Sequence, residues 1–331
     1  MKSDVLDEIA HILQEEAITP PLFELQNVSV DYKLSTTAFR ALHNVSLQGY
    51  PRETLGIVGE SGCGKSTLAK TLLCLQPPTQ GKVLFRGQDL HQLKANSLRQ
   101  KRKEMQMIFQ DPDASLNPRM TVYEHIVEPL MIHGLFDKPQ VLKLLDMVQL
   151  PAQVQDKYPY QLSGGQKQRV SIARALSVMP KLIVCDEPLS ALDVSVSTQI
   201  IQLLQELQAE NNLAYLFITH DLASLRLLAH RIAVFYLGNL VEEAPTEMLY
   251  RTPLHPYTQG LMSAVAIPDP EKERRRSRVV ITGEIPSVLA PPTGCPFHTR
   301  CPMAREECRR IKPQLLEIKP KHYVACHLYK N

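Results

Sequence analysis

Residues 59–67, GESGCGKST, set three glycines, one lysine and three hydroxyl side chains in the spacing G-x-x-x-x-G-K-S. Side chains of these types, in this order, suit the binding of a chain of phosphates. Gly59, Gly62 and Gly64 let the backbone turn tightly and aim its N–H groups at anionic oxygens, and the start of the following helix adds a favourable dipole. Lys65 is expected to reach the β- and γ-phosphates and the Ser66 hydroxyl to ligate Mg²⁺. Glu60, Ser61, Cys63 and Thr67 complete the loop, Cys63 with no chemical task of its own. Further on, LIVCDE at 182–187 is an apolar run closed by two acids. Asp186 suits the Mg²⁺ shell, through water, and Glu187 suits the polarisation of an attacking water as general base.

A second anion-binding device follows from LSGGQKQRVSIARAL at 162–176. Ser163, Gly164 and Gly165, with Gln166 beside them, form a backbone cradle at a predicted helix start. Two such devices about a hundred residues apart need not share one nucleotide.

These residues need a scaffold of strands that end at loops. The apolar stretches TLGIV, KLIVCDE and AYLFITHD read as buried strands, alternating with helical segments as in an α/β domain. LFELQNVSV and GKVLF add strands early in the chain, and residues 111–162 read as mostly helical, with proline breaks at DPDASLNP and YPYQL, a helical subdomain being placed at about 111–180. The expected division is a helical segment at 1–21, whose residues 4–16 are amphipathic, an α/β domain at 22–250, and an extension at 251–331. Prolines at TPLHPYT, AIPDP and LAPPTGCP mark the linker into that extension, which reads as small, irregular and cysteine-bearing.

Composition sets bounds on partners. Thirty-seven basic against 34 acidic residues give a net charge of +3, which carries no nucleic-acid footprint. No run approaches the 18 or more apolar residues of a spanning helix, and the N-terminus carries acids where a secretion signal would be apolar. The expectation is a soluble, cytoplasmic chain. Seven cysteines in such a chain favour free thiols or metal over disulfides.

LSGGQ resembles the signature of ATP-binding-cassette ATPases, and the other motifs fall in that family's order. The fold implied is a phosphate-loop α/β core, a mixed sheet flanked by helices, with an antiparallel β subdomain and an inserted helical subdomain. Tyr32 resembles the aromatic that stacks on adenine. Gln110, in MIFQDP, resembles the glutamine that touches Mg²⁺ and water while joining the helical subdomain to the core. SALD at 190–193 resembles the loop that communicates across a dimer, and His220, in FITHD, resembles the histidine that orients the γ-phosphate and Glu187. The resemblance implies ATP and Mg²⁺ as ligands, competent hydrolysis, and pairing of two cassettes, each signature covering the nucleotide on its partner's phosphate loop.

FQDPDASLNPRMTV, RTPLHPYTQGLMSA and GEIPSVLAPPTGCPF are similar to the ATPase subunits of bacterial dipeptide, oligopeptide and nickel importers, most like the second of two such subunits. That branch implies two transmembrane permease subunits, a second and different ATPase subunit, an extracytoplasmic binding protein, and a position on the cytoplasmic face of the inner membrane. Peptides, nickel, glutathione and antimicrobial peptides all stay open as cargo, as does a cassette ATPase outside transport. The basic run KERRRSR at 272–278 reads as a solvated linker or a contact for anionic lipid.

Cys295, Cys301, Cys308 and Cys326 are spaced x5, x6 and x17, wider than the usual zinc pairs. Spacing leaves iron-sulfur ligation, zinc and unliganded thiols open, with Cys-Pro steps at 295–296 and 301–302 of the ferredoxin kind. Arg300, Arg305, Arg309 and Arg310 are near enough in sequence to offset a negative cluster. Resemblance to the importer extension implies a 4Fe-4S cluster on these four thiolates, as a structural staple or a redox sensor. Cys74 and Cys185 are expected in the buried core.

Overall fold

The computed structural model describes residues 19–33, 37–264 and 281–329. The amphipathic segment at 4–16 and the basic run at 272–278 lie outside the described residues. The strands are β1 (Phe23–Lys33), β2 (Ala38–Gly49), β3 (Thr54–Val58), β4 (Gln80–Phe85), β5 (Gln88–Asp89), β6 (Met105–Ile108), β7 (Leu182–Asp186), β8 (Ala214–Ile218), β9 (Arg231–Tyr236), β10 (Asn239–Pro245), β11 (Leu316–Lys319) and β12 (His322–Val324). The helices are α1 (Lys65–Leu72), α2 (Ala95–Glu104), α3 (Pro112–Ser115), α4 (Val122–Ile132), α5 (Lys138–Met147), α6 (Gly164–Leu176), α7 (Val194–Asn211), α8 (Leu222–Leu228), α9 (Thr246–Arg251), α10 (Pro256–Ala264) and α11 (Glu306–Arg310).

The main sheet has the order β11-β12-β10-β9-β3-β8-β7-β6, and its central strands β9, β3, β8, β7 and β6 are parallel. Every residue of β3, β7 and β8 is buried, which is why these strands read as unbroken apolar runs. In β7 the strand period of two sends Leu182 and Val184 to one core and Ile183 and Cys185 to the other. The first core lies toward the second sheet, β2-β1-β4-β5, which is antiparallel, and toward α1. The other holds α4, α6 and α7 through Val122, Ile126, Ile172, Ile200 and Leu204.

Helices α3 to α6 lie within 112–176. A capping box opens α4: the Thr121 hydroxyl accepts from the Glu124 N–H at 3.3 Å while Glu124 accepts the Thr121 N–H. The left-handed Asn212 ends α7, where an asparagine tolerates positive φ.

Two expectations need correction. The extension is not irregular throughout: it opens with α10 and closes with β11 and β12, which continue the main sheet with Glu242 opposite Val324 and Glu243 opposite Tyr323. A charge holds it there. Glu242 is wholly buried, and its carboxylate accepts from the N–H groups of Leu254 (2.7 Å) and His255 (2.8 Å) and from His322 Nε2 (2.7 Å). A buried carboxylate is tolerated only when its oxygens are filled in this way, so strand β12 and the 254–255 turn are both fixed to β10. The second correction concerns Cys74. Cys185 is fully buried as expected, whereas Cys74 sits beyond the end of α1 at φ 56° and is only partly buried. The chain there turns left-handed to leave the helix.

His255 is enclosed and its Nδ1 accepts the Tyr257 N–H at 3.1 Å, so the ring must stay neutral there. Burial pushes its pKa down to about 4 from the ordinary 6.5, and burial likewise lowers that of His43 to about 4. Unfolding therefore takes up protons between these values, and stability is full above pH 6.5 and falls as pH drops toward 4. For His255 the slope is at most about 1.4 kcal/mol per pH unit. Urea midpoints measured from pH 7 to 5 are expected to decline, and His255→Asn, which keeps an acceptor, is expected to flatten the decline.

Candidate functional site

The five parallel strands point the same way, so the loops after β3, β6, β7 and β8 meet along one edge of the sheet, where α/β folds place their ligands. After β3 comes the 59–67 loop. Gly62 lies at φ 77° with nothing within 4 Å of where a side chain would begin, so the loop faces open space there. Gly64 lies at φ 103°, and a Cβ would stand 2.6 Å from the Ala41 carbonyl oxygen. Only glycine meets both demands. Lys65 is buried, and its Nζ donates to the Gly59 and Glu60 carbonyls at 2.7 and 3.1 Å, spanning the loop from within. Ser66 opens its hydroxyl toward the end of β7, donating to Asp186 Oδ1 at 3.2 Å.

Glu187 follows Asp186 in left-handed backbone, φ 47°, with its N–H donated to the Ile218 carbonyl at 2.9 Å. That turn carries its carboxylate to two predicted partners. Gln110 Nε2 donates to Glu187 Oε2 at 3.2 Å, and His220 Nδ1 stands 3.3 Å from the same oxygen. His220 is exposed and Glu187 mostly screened, so a solvent-facing imidazole meets a sheltered carboxylate. Burial raises the pKa of Asp186, partly offset by the Ser66 hydrogen bond. Tyr32 places its hydroxyl 3.5 Å from Thr67 Oγ1 and stacks its ring on Phe39 with centroids 5.5 Å apart. The aromatic thus stands beside the phosphate-loop helix.

Ser163 caps α6, its hydroxyl accepting the Gln166 N–H at 3.3 Å and its own N–H donated to Gln166 Oε1 at 3.1 Å. Gly164 and Gly165 form the first helical residues, and a Cβ on Gly165 would press on Val196 at the start of α7. No hydrogen bond among the described residues joins this cradle to the 59–67 loop.

The open loop of backbone amides fits a polyphosphate, and Ser66, Asp186 and Gln110 carry the hard oxygen donors that suit Mg²⁺. When bound, Mg²⁺ would neutralise charge on the terminal phosphates. Among the described residues, no group of three or more His, Cys, Asp or Glu side chains could hold a metal ion. The four C-terminal thiols nevertheless share one neighbourhood. Cys295 feels the charges of Cys308, Cys326 and Cys301, and its N–H donates to the Cys308 carbonyl at 2.8 Å. Burial pushes the Cys295 thiol up to about 12 and the Cys326 thiol up to about 11. Two of the nearby arginines are engaged elsewhere, Arg300 by Glu60 at 2.7 Å and Arg310 by Glu306 at 2.9 Å, while the Arg305 N–H donates to Cys308 Sγ at 3.4 Å.

Sequence reasoning missed the groups that grip the phosphate loop from outside. Tyr257 Oη accepts the Glu60 N–H at 2.9 Å, and Arg300 meets both Glu60 carboxylate oxygens. Both lie in the C-terminal third of the chain, about 200 residues or more away. Local spacing carries no signal for pairs so distant.

Residues 42–190 match the family model described as "ABC transporter", and residues 241–308 match "Oligopeptide/dipeptide transporter, C-terminal region". The chain is 46% identical over 320 residues to the oligopeptide transport ATP-binding protein AppF of Bacillus subtilis (strain 168), covering 93% of this chain and 97% of that protein. It is 49% identical over 293 residues to the oligopeptide transport ATP-binding protein OppF of Salmonella typhimurium, covering 87% of each. Among solved structures, it is similar to a dimeric post-hydrolysis state of the ATP-binding cassette MJ0796 bound to ADP and Pi. There the TM-score is 0.62 at 33% identity, over 68% of this chain and 98% of that one.

Glu187→Gln keeps the hydrogen-bonding shape but removes the carboxylate charge. Turnover of ATP is expected to fall about 10²–10⁴-fold, with binding of a fluorescent ATP analogue retained. Hydrolysis at the unaltered rate would remove Glu187 from that role.

Proposed function

The chain belongs to the ATP-binding-cassette ATPases of oligopeptide and dipeptide importers, and from that membership we propose that it powers peptide import as the second, F-type ATPase subunit of such a machine. It hydrolyses ATP. The observation that carries the reading is the Glu187 carboxylate held between Gln110 and His220 at the mouth of the phosphate loop. Glu187 takes a proton from the attacking water, Gln110 and His220 orient that carboxylate, and Lys65 with the loop amides steadies the charge on the terminal phosphates. Tyr32 supplies a ring beside the loop for adenine.

Ser163, Gly164, Gly165 and Gln166 serve the nucleotide held by a second cassette. Support comes from the start of α6, a capped helix N-terminus with two glycines that no hydrogen bond among the described residues ties to the chain's own 59–67 loop. The MJ0796 cassette is itself a dimer. We assign the partner as a different ATPase subunit, in keeping with the F-type relatives, and the cassette domain as residues 22–250, followed by the importer extension to 331.

Two permease subunits dock on the helical side. Among the described residues, no helix is long and apolar enough to cross a membrane, so membrane passage falls to partners. A groove of about 500 Å³ lies between α2 and the end of α4, lined by Asn96, Arg99, Gln100, Ile132 and His133, with Met131 and Phe136 exposed beside it. This open trough, mainly polar with Ile132 as its apolar wall, suits a short helix from a permease. The chain then lies on the cytoplasmic face of the inner membrane, and an extracytoplasmic protein delivers the peptide.

In the extension, Cys295, Cys301, Cys308 and Cys326 are proposed as ligands of a 4Fe-4S cluster, zinc being the lesser candidate. Their common neighbourhood and Cys-Pro steps support this, and the group's contribution when bound is to staple a segment poor in apolar residues.

Two measurements check these readings. Ile132→Asp is expected to abolish copurification with the permeases and peptide uptake by cells, while ATPase activity of the detached subunit persists. Anaerobic purification is expected to yield brown protein with iron and acid-labile sulfide in equal amounts; colourless protein carrying stoichiometric zinc would replace the cluster by zinc.

A further inference from the structure

The 59–67 loop is held at Glu60 in two ways by residues of the extension. Its peptide N–H is donated to Tyr257 Oη at 2.9 Å, and its carboxylate receives the Arg300 guanidinium at 2.7 and 3.1 Å. A bidentate pair of this kind fixes orientation as well as distance. Arg300 is itself tightly held, with its side chain 7% exposed, a second donation to Tyr236 Oη at 3.3 Å and its guanidinium 5.9 Å from the Tyr236 ring centre. Tyr236, Tyr257 and Phe297 pack on one another with centroids 4.8 to 5.4 Å apart. Phe297 and Arg300 belong to one turn, in which the Arg300 N–H is donated to the Phe297 carbonyl at 3.0 Å. That turn runs between Cys295 and Cys301.

A rigid chain of contacts therefore leads from the cysteine-bearing turn to the second residue of the phosphate loop. The loop acts through its backbone, and its amides bind phosphate only when they point inward together. Pulling on Glu60 by both its N–H and its side chain sets the direction of the amides that follow. The ion pair also removes the negative charge of Glu60 from the approach of an anionic nucleotide.

We propose that Arg300 is a positioning residue for ATP, and that through it the fold of the extension sets nucleotide affinity at the phosphate loop. This rests on the ATPase reading above. Arg300 touches no reacting atom, so its loss acts on binding rather than on the chemical step.

The full-length subunit is assayed as purified, wild type alongside Arg300→Ala, Arg300→Lys, Glu60→Gln and the double variant Arg300→Ala with Glu60→Gln. Arg300→Ala is expected to raise KM for ATP roughly tenfold with kcat at saturating ATP little changed. Arg300→Lys recovers part of the loss, because it restores charge without the fork. Glu60→Gln also raises KM, and the double variant is no worse than the poorer single one, because both remove one interaction. A KM unchanged in Arg300→Ala overturns the proposal. So does a KM lowered by Glu60→Gln, which would make charge alone the cause, or additive losses in the double variant. If Arg300→Ala does not fold, Glu60→Gln and Arg300→Lys decide by the same KM criterion. Wild-type turnover in the same assay tests the ATPase reading separately.

Discussion

Parallel strands cannot be joined by tight turns, and this constraint organises the molecule. Each of β3, β6, β7 and β8 must be followed by a crossover, so four chain exits gather at one edge of the sheet. Gly64, Gln110, Glu187 and His220 stand within a few residues of those exits. Their convergence needs no further device, because strand pairing sets the spacing and side-chain reach does the rest. The wholly buried β3, β7 and β8, apolar but for Thr54 and Asp186, are the cost of that arrangement, covered on both faces so that their ends are fixed.

The extension is bound to this core by polar groups as well as by its own apolar side chains. Glu242 sits at the join, a charge enclosed in β10 whose oxygens are filled by two backbone N–H groups and an imidazole. Removal of any one donor would leave a buried charge short of partners, so the three pieces of chain are fixed together or not at all. Phe297, Cys295 and Cys308 then join the same core as the helical layer. The cysteine-bearing turn is therefore continuous with the body that holds the nucleotide loop.

Much of the site was legible in the sequence because phosphate chemistry demands particular residue types at short spacing. GESGCGKST, LIVCDE and FITHD each announce a strand, a turn and a functional group together, and the structure brings Ser66 to Asp186, and Gln110 and His220 to Glu187. The extension was read less well. Its prolines and glycines signalled loops, yet LEIK and HYV became strands, because pairing with β10 gives short polar segments an order their propensity does not. Arg300 looked like a counter-charge for neighbouring thiols, and tertiary contact gave it instead to a glutamate 240 positions earlier. Such pairings are written in the fold and leave no periodicity to find.

Glu187 occupies left-handed backbone, a region that a side chain with a Cβ enters at a cost of about 1–2 kcal/mol. Glycine or asparagine would rest there more comfortably. The residue proposed as the general base is thus one that selection for stability alone would replace, so at this position the chain trades robustness for work. A thermostability screen run on this protein without an activity check would be free to replace it.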